Sequence, residues 1–131
     1  MPTLFSRIVA GDIPAHKIAE DDYFLAFLDI SPLRHGHTLV VPKRETDYLF
    51  DLPDEYLERM LRFARPIAKA IEKSFPCKRC GLAVIGLEVP HAHLHIVPID
   101  QADDLNFTRP KLSPSPAELA ADREKILANL S

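Results

Sequence analysis

Apolar residues run together or alternate with polar ones in five short stretches, and recur at three-and-four spacing in one long stretch. Phe5 to Val9 reads as a short amphipathic helix, stopped by the turn formers Gly11-Asp12-Ile13-Pro14. His16–Glu20 and Tyr23–Asp29 are largely apolar and flank the acidic pair Asp21-Asp22, the pattern of a β-hairpin. Ser31-Pro32 closes that second strand, and Leu33–Gly36 loops into a third, His37–Pro42. Asp51-Leu52-Pro53-Asp54 prepares a helix start. Leu57, Met60, Leu61, Ala64, Ile67, Ala68, Ile71 and Phe75 then trace one buried helical face. Pro66 removes a backbone donor inside that pattern, which predicts a kink near Arg62–Pro66 or two helices end to end. Cys80–Ile85 and His91–Ile99 read as the last two strands, and Ser115-Pro116-Ala117-Glu118 offers a capping box for a closing helix through Leu130. The expected fold is α+β: a five-stranded antiparallel sheet, one long helix packed on it, and a C-terminal helix. Because composition turns polar beyond Asp100, a main domain over 1–100 and a loop-plus-helix extension over 101–131 are expected.

The chemistry concentrates in Pro90-His91-Ala92-His93-Leu94-His95-Ile96-Val97-Pro98. Period-two alternation sets the three imidazoles on one face of a strand and Ala92, Leu94 and Ile96 on the other. Imidazole serves as nucleophile, general acid or base, or metal ligand near neutral pH. A zinc site built from three histidines with an open water position is therefore an alternative to nucleophilic chemistry. Three hydrogen-bonded structural histidines are the plainer one.

With 131 residues and a net charge of -3, the chain lacks the basic surface that a nucleic-acid polymer requires. It carries no apolar run long enough to span a membrane and no basic segment leading into an apolar one, so a cytoplasmic setting is expected. Cys77 and Cys80 are too close to staple a fold, and they follow a helix rather than open one. No chemical role is expected for them. His16 and His35 read as ordinary surface residues.

The triad pattern, together with Phe27-Leu28-Asp29-Ile30-Ser31-Pro32, Gly36-His37-Thr38-Leu39-Val40-Val41-Pro42-Lys43 and Ile8-Val9-Ala10-Gly11-Asp12-Ile13-Pro14, resembles the histidine triad (HIT) family of nucleotide hydrolases and transferases. The resemblance covers roughly residues 5–99 and is closest to the Hint-like branch. It implies that His93 is the nucleophile on the α-phosphorus of a nucleotide, forming a nucleotidyl-histidine. His91 and His95 would lie near phosphate and leaving group, and His37 beside the triad. Asp29 would accept the ribose hydroxyls, with Phe27, Leu28 and Ile30 near the base. The implied substrate is a purine, AMP-like phosphoramidate or related nucleotidyl bond, the implied assembly a homodimer. A nucleotide-binding protein without catalysis is the alternative.

Two departures stand out. Many relatives carry an N-terminal Cys-x-x-Cys that binds zinc with histidines, whereas Thr3 and Ser6 stand here, so no metal and no cofactor are expected. The loop before the triad, Gly86-Leu87-Glu88-Val89-Pro90, lacks the usual phosphate-contacting serine and amide. Glu88 would be repelled by phosphate and is expected to face a histidine. The segment 100–110 either covers the site or is a solvated linker.

Overall fold

The computed structural model describes residues 2–130; Met1 and Ser131, the outer ends of the two expected segments, lie outside them. Its elements are α1 (Leu4–Val9), β1 (Lys17–Glu20), β2 (Phe24–Leu28), β3 (Thr38–Pro42), α2 (Asp54–Ser74), β4 (Arg79–Ala83), β5 (Leu94–Ile99) and α3 (Pro116–Asn129). The strands form one antiparallel sheet in the order β1-β2-β3-β5-β4. The hairpin turn between β1 and β2 is fixed by Asp21, whose carboxylate accepts from the Tyr23 and Phe24 amides at 2.8 Å each.

β2 and β3 are buried along their whole length because both faces of the sheet are covered. On one face Phe24, Ala26, Leu28, Val40, Leu94 and Ile96 pack against Met60, Ala64, Ile67 and Ile71 of α2. On the other face Leu25, Phe27, Leu39 and Val41 meet Phe5 and Ile8 of α1. Period-two alternation thus divides each central strand between a large helical core and a smaller one under α1.

The long helix is one element rather than two. α2 runs unbroken through Pro66, and Arg62, whose carbonyl loses its partner there, is exposed and open to solvent. Leu61, expected on the buried stripe, is 61% exposed. β4 ends at Ala83, short of the expected Ile85, and β5 begins at Leu94, so His91–His93 precede the ladder. α3 starts at the predicted capping box, in which the Ser115 hydroxyl accepts from the Glu118 amide at 3.1 Å and Glu118 accepts from the Ser115 amide at 2.9 Å. Its Leu119 and Ile126 enter the same core as α2, so the C-terminal segment shares the packing of the rest. Among the described residues no helix is long and apolar enough to cross a membrane.

The turn that delivers His37 depends on Gly36. Its φ of +97° lies in the left-handed region, and a Cβ there would fall 2.8 Å from Cδ2 and Cε2 of Phe75. Gly36→Ala is expected to cost about 1–3 kcal/mol, read as a lowered urea midpoint with an unchanged slope.

Candidate active site

A cavity of about 650 Å³ opens on the α1 side of the sheet. It is lined by Phe27, Leu28, Asp29 and Ile30 from the end of β2, by His93 and His95, and by Glu88 from the loop before them. Two expected members stand behind this wall. His37 is 1% exposed and His91 is 0% exposed, and neither lines the cavity. Several lining residues escaped sequence reasoning: Leu4, Phe5 and Ile8 of α1, His16, and Phe107 and Lys111 of the C-terminal segment. His16, expected at the surface, is half-buried in this wall. Phe107 did leave a signal, being the sole aromatic residue after Phe75 and sitting in a polar run. Its ring packs edge-on against His95 at 4.5 Å, so segment 100–110 covers the site of its own chain.

The hydrogen-bond partners determine where each imidazole carries its proton. His93 Nδ1 lies 2.7 Å from the His91 carbonyl, which can only accept. Nδ1 therefore donates, and Nε2 keeps a lone pair. His37 Nδ1 accepts from the Leu33 amide at 3.0 Å, which leaves its proton on Nε2. That N–H donates to His95 Nδ1 at 2.9 Å, and the His95 proton consequently sits on Nε2. His91 donates from Nε2 to the Pro42 carbonyl at 2.8 Å, so its Nδ1 accepts from the Thr3 hydroxyl at 2.7 Å. One free lone pair and one free N–H remain, on His93 and His95, whose rings are 4.9 Å apart in an edge-on pair.

Burial disfavours the charged form of His37, His95 and His91. It pushes the His37 pKa down to about 3, helped by the neighbouring His95, and the His95 pKa down to about 4, helped by His93 and Lys111. His91 is lowered too, again chiefly by burial, with its bond to Pro42 acting in opposition. Burial raises the Asp29 carboxyl, while the Ser31 amide at 2.8 Å opposes that rise. The Asp29 carboxylate both caps the turn at Ser31 and lines the cavity, with Oδ2 3.6 Å from His37 Nε2. Glu88 lines the same cavity as His93 and His95. It is exposed on the loop, makes no hydrogen bond to a histidine among the described residues, and raises the Asp29 pKa through its charge.

The donor atoms of Asp29, His37 and His95 lie within 4.8 Å of one another, the spacing of a metal cluster. Yet the Leu33 amide and the His37–His95 bond occupy the lone pairs that a cation would need, so the pair suits proton positioning better than ligation. The triad histidines themselves do not converge as a ligand set among the described residues. At the N-terminal position, Thr3 Oγ1 and Ser6 Oγ stand 2.7 and 3.3 Å from His91 Nδ1, and Ser6 donates to Glu45. Hydroxyls already engaged with His91, with an amide and with a carboxylate do not fit a zinc ion. Cys77 and Cys80 are free thiols on the far edge strand side of the sheet. Burial pushes Cys80 up to about 12 and raises Cys77, opposite to an activated thiolate.

An antiparallel sheet thus presents an imidazole with a free Nε2 lone pair to a largely apolar cavity, backed by buried histidines. The HIT domain matches residues 10–102, and the chain belongs to the HIT family. The adenosine 5'-monophosphoramidase of Schizosaccharomyces pombe is 34% identical over 132 residues, covering 99% of each chain. An uncharacterised HIT-like protein of Borreliella burgdorferi is 35% identical over 113 residues, or 81% of each chain. Among solved structures, a HIT-like protein of Bartonella henselae superimposes with a TM-score of 0.84 at 29% identity, covering 98% of this chain and 96% of that one. A zinc-bound histidine triad protein of Mycobacterium smegmatis gives 0.81 at 34% identity, covering 97% and 91%. At family level these relatives support a nucleotide hydrolase.

The depressed histidines link stability to pH. His37 and His95 take up protons near pH 3 and 4 in the folded protein but near their ordinary 6.5 when unfolded. Between those limits the unfolded chain binds more protons, so stability is complete above pH 6.5 and is lost as pH falls toward 4. Urea midpoints measured from pH 8 to 4 should fall for the wild type, and the fall should be shallower in His37→Asn, which cannot titrate there.

Proposed function

We propose that the chain hydrolyses nucleoside phosphoramidates or related nucleotidyl bonds through a nucleotidyl-His93 intermediate. The observation that carries this reading is the 2.7 Å bond from His93 Nδ1 to the His91 carbonyl, which leaves the Nε2 lone pair free for attack. In the first step Nε2 bonds to the α-phosphorus, and the bond from phosphorus to the leaving amine breaks. In the second, water bonds to phosphorus, the His93–phosphorus bond breaks, and the nucleoside monophosphate departs. His95 donates its Nε2–H to a phosphoryl oxygen as negative charge grows there. With His37 and His95 held neutral, the proton for the departing amine comes from water or is already on the substrate nitrogen.

His91 acts here at one remove, since its carbonyl orients His93 while its ring is tied to Pro42 and Thr3. The free Oδ2 of Asp29 suits a ribose diol, an acceptor-only group meeting two donors. Phe27, Leu28 and Ile30, joined by Leu4, Phe5 and Ile8, give the base an apolar berth. An AMP-like purine nucleotide fits that combination.

Acid-quenched mixing of the protein with an adenosine phosphoramidate should trap an adenylyl adduct on His93 by mass spectrometry. His93→Ala should abolish the adduct and lower turnover by about a thousandfold or more. Nucleotide binding with neither adduct nor turnover in the wild type would point instead to a protein that binds without catalysis.

The same reading includes a homodimer. β4 closes the sheet at one edge, paired only with β5, and Leu82, Val84 and Ile85 on and after it are exposed. Light scattering should return twice the monomer mass, and a monomer at micromolar concentration would remove this part of the proposal.

A further inference from the structure

A phosphate in this cavity meets an electrostatic problem. The lining carries two carboxylates, Asp29 and Glu88, and histidines of which His95 is held neutral by burial. The loop before the triad offers only Gly86, Leu87, Glu88, Val89 and Pro90, with no side chain that donates to an oxyanion. Lys111 is the single lysine or arginine in the lining among the described residues.

Its position is built rather than incidental. Asn106 folds the chain into a tight turn, accepting from the Thr108 amide at 3.0 Å on its side chain and from the Arg109 amide at 3.2 Å on its carbonyl. Phe107 anchors that turn against His95 at 4.5 Å and His37 at 6.0 Å. The Leu112 amide donates to the Pro32 carbonyl at 2.9 Å, tying the next residue to the loop that follows β2. Between these anchors the Lys111 ammonium donates to the carbonyls of Phe107 at 2.5 Å and Arg109 at 3.3 Å, and lies 5.9 Å from the Phe107 ring centre. An ammonium has three donors, so one remains for a ligand. Its charge reaches Asp29, His37 and His95, opposing the rise at Asp29 and helping burial lower the two histidines.

We propose that Lys111, carried into the cavity wall by the Phe107 turn, is the cation that binds the substrate phosphate, in place of the donors the short loop lacks. The inference rests on the nucleotide reading of the site but not on the covalent step. It makes the C-terminal segment a working part of the site: Phe107 closes over His95 and His37, and Lys111 supplies positive charge to a lining that has no other lysine or arginine among the described residues.

Calorimetric titration of the full chain with AMP and with adenosine tests it. Lys111→Met keeps the apolar stem and removes the charge; Lys111→Arg keeps the charge. The expected result is that Lys111→Met weakens AMP about tenfold or more and leaves adenosine unchanged, while Lys111→Arg keeps most of the AMP affinity. The salt dependence of AMP binding should also flatten in Lys111→Met. Equal AMP affinity in wild type and Lys111→Met overturns the inference and leaves the proposed hydrolysis standing. Equal losses for AMP and adenosine also overturn it, since they indicate that Lys111 only braces the turn. A wild type that binds neither ligand overturns the nucleotide reading and this inference with it. Selective loss of AMP in a protein that never forms the His93 adduct supports the inference while the covalent mechanism falls.

Discussion

The bond between His93 Nδ1 and the His91 carbonyl ties the chemistry of the site to the backbone. A carbonyl has no proton to give, so the ring can adopt only the tautomer with a free Nε2 lone pair while it is neutral. The same logic governs the other end of the cluster. The Leu33 amide has no lone pair to offer, which fixes His37, and His37 in turn fixes His95. Two main-chain groups of opposite character therefore give adjacent rings opposite functions, a lone pair on His93 and an N–H donor on His95. Side-chain identity alone would leave both tautomers open to each ring.

Packing around the cluster favours the neutral form of His37, His91 and His95. α1 covers the sheet with Phe5 and Ile8, and Phe5 meets the His93 ring edge-on at 4.9 Å. Removing water disfavours the imidazolium forms of His37, His91 and His95, which keeps the neighbours of His93 from carrying charge of their own. The cost falls on anion binding, because the buried His95 and two carboxylates in the wall do not attract a phosphate. Positive charge must come from elsewhere in the chain, and the lining receives it from Lys111 on a segment that follows all five strands.

Much of the fold was legible because its cores obey simple periodicities. Phe24 to Leu28 divide between two faces, and Met60, Ala64, Ile67 and Ile71 form one helical stripe, both evident from spacing. Leu61 and Pro66 escaped for opposite reasons. Leu61 satisfies the helical period but lies at the margin of the stripe, where no partner packs on it, and Pro66 is tolerated because the carbonyl it orphans belongs to exposed Arg62. At the site, spacing pointed to His93 and His95 and the family resemblance to Asp29, and all three line the cavity. The layering was not legible: alternation sets His91 and His95 as equals about His93, yet the ladder begins at Leu94, and His91 turns to Pro42 and Thr3 instead of the cavity. Lys111 and Phe107 were invisible to periodicity because a loop of hydrogen-bonded turns positions them.

The N-terminal cluster joins the start of α1 to the histidine layer by hydrogen bonds alone. His91 must be tethered on its Nδ1 side, or the carbonyl that orients His93 would shift. A metal ion is one tether; this chain uses Thr3, which accepts from the Ser6 amide and donates to His91, with Ser6 passing its own proton to Glu45. The Thr3 amide also donates to Glu45 at 3.0 Å, so the start of α1 is bound to the loop after β3 by one carboxylate. Through that joint α1 is hydrogen-bonded to His91, whose carbonyl orients the His93 ring. Hydrogen bonds supply this without a bound ion, but they make the alignment depend on Glu45 remaining charged. The bonds from Ser6 and Thr3 meet that condition by holding the Glu45 carboxyl below its usual range.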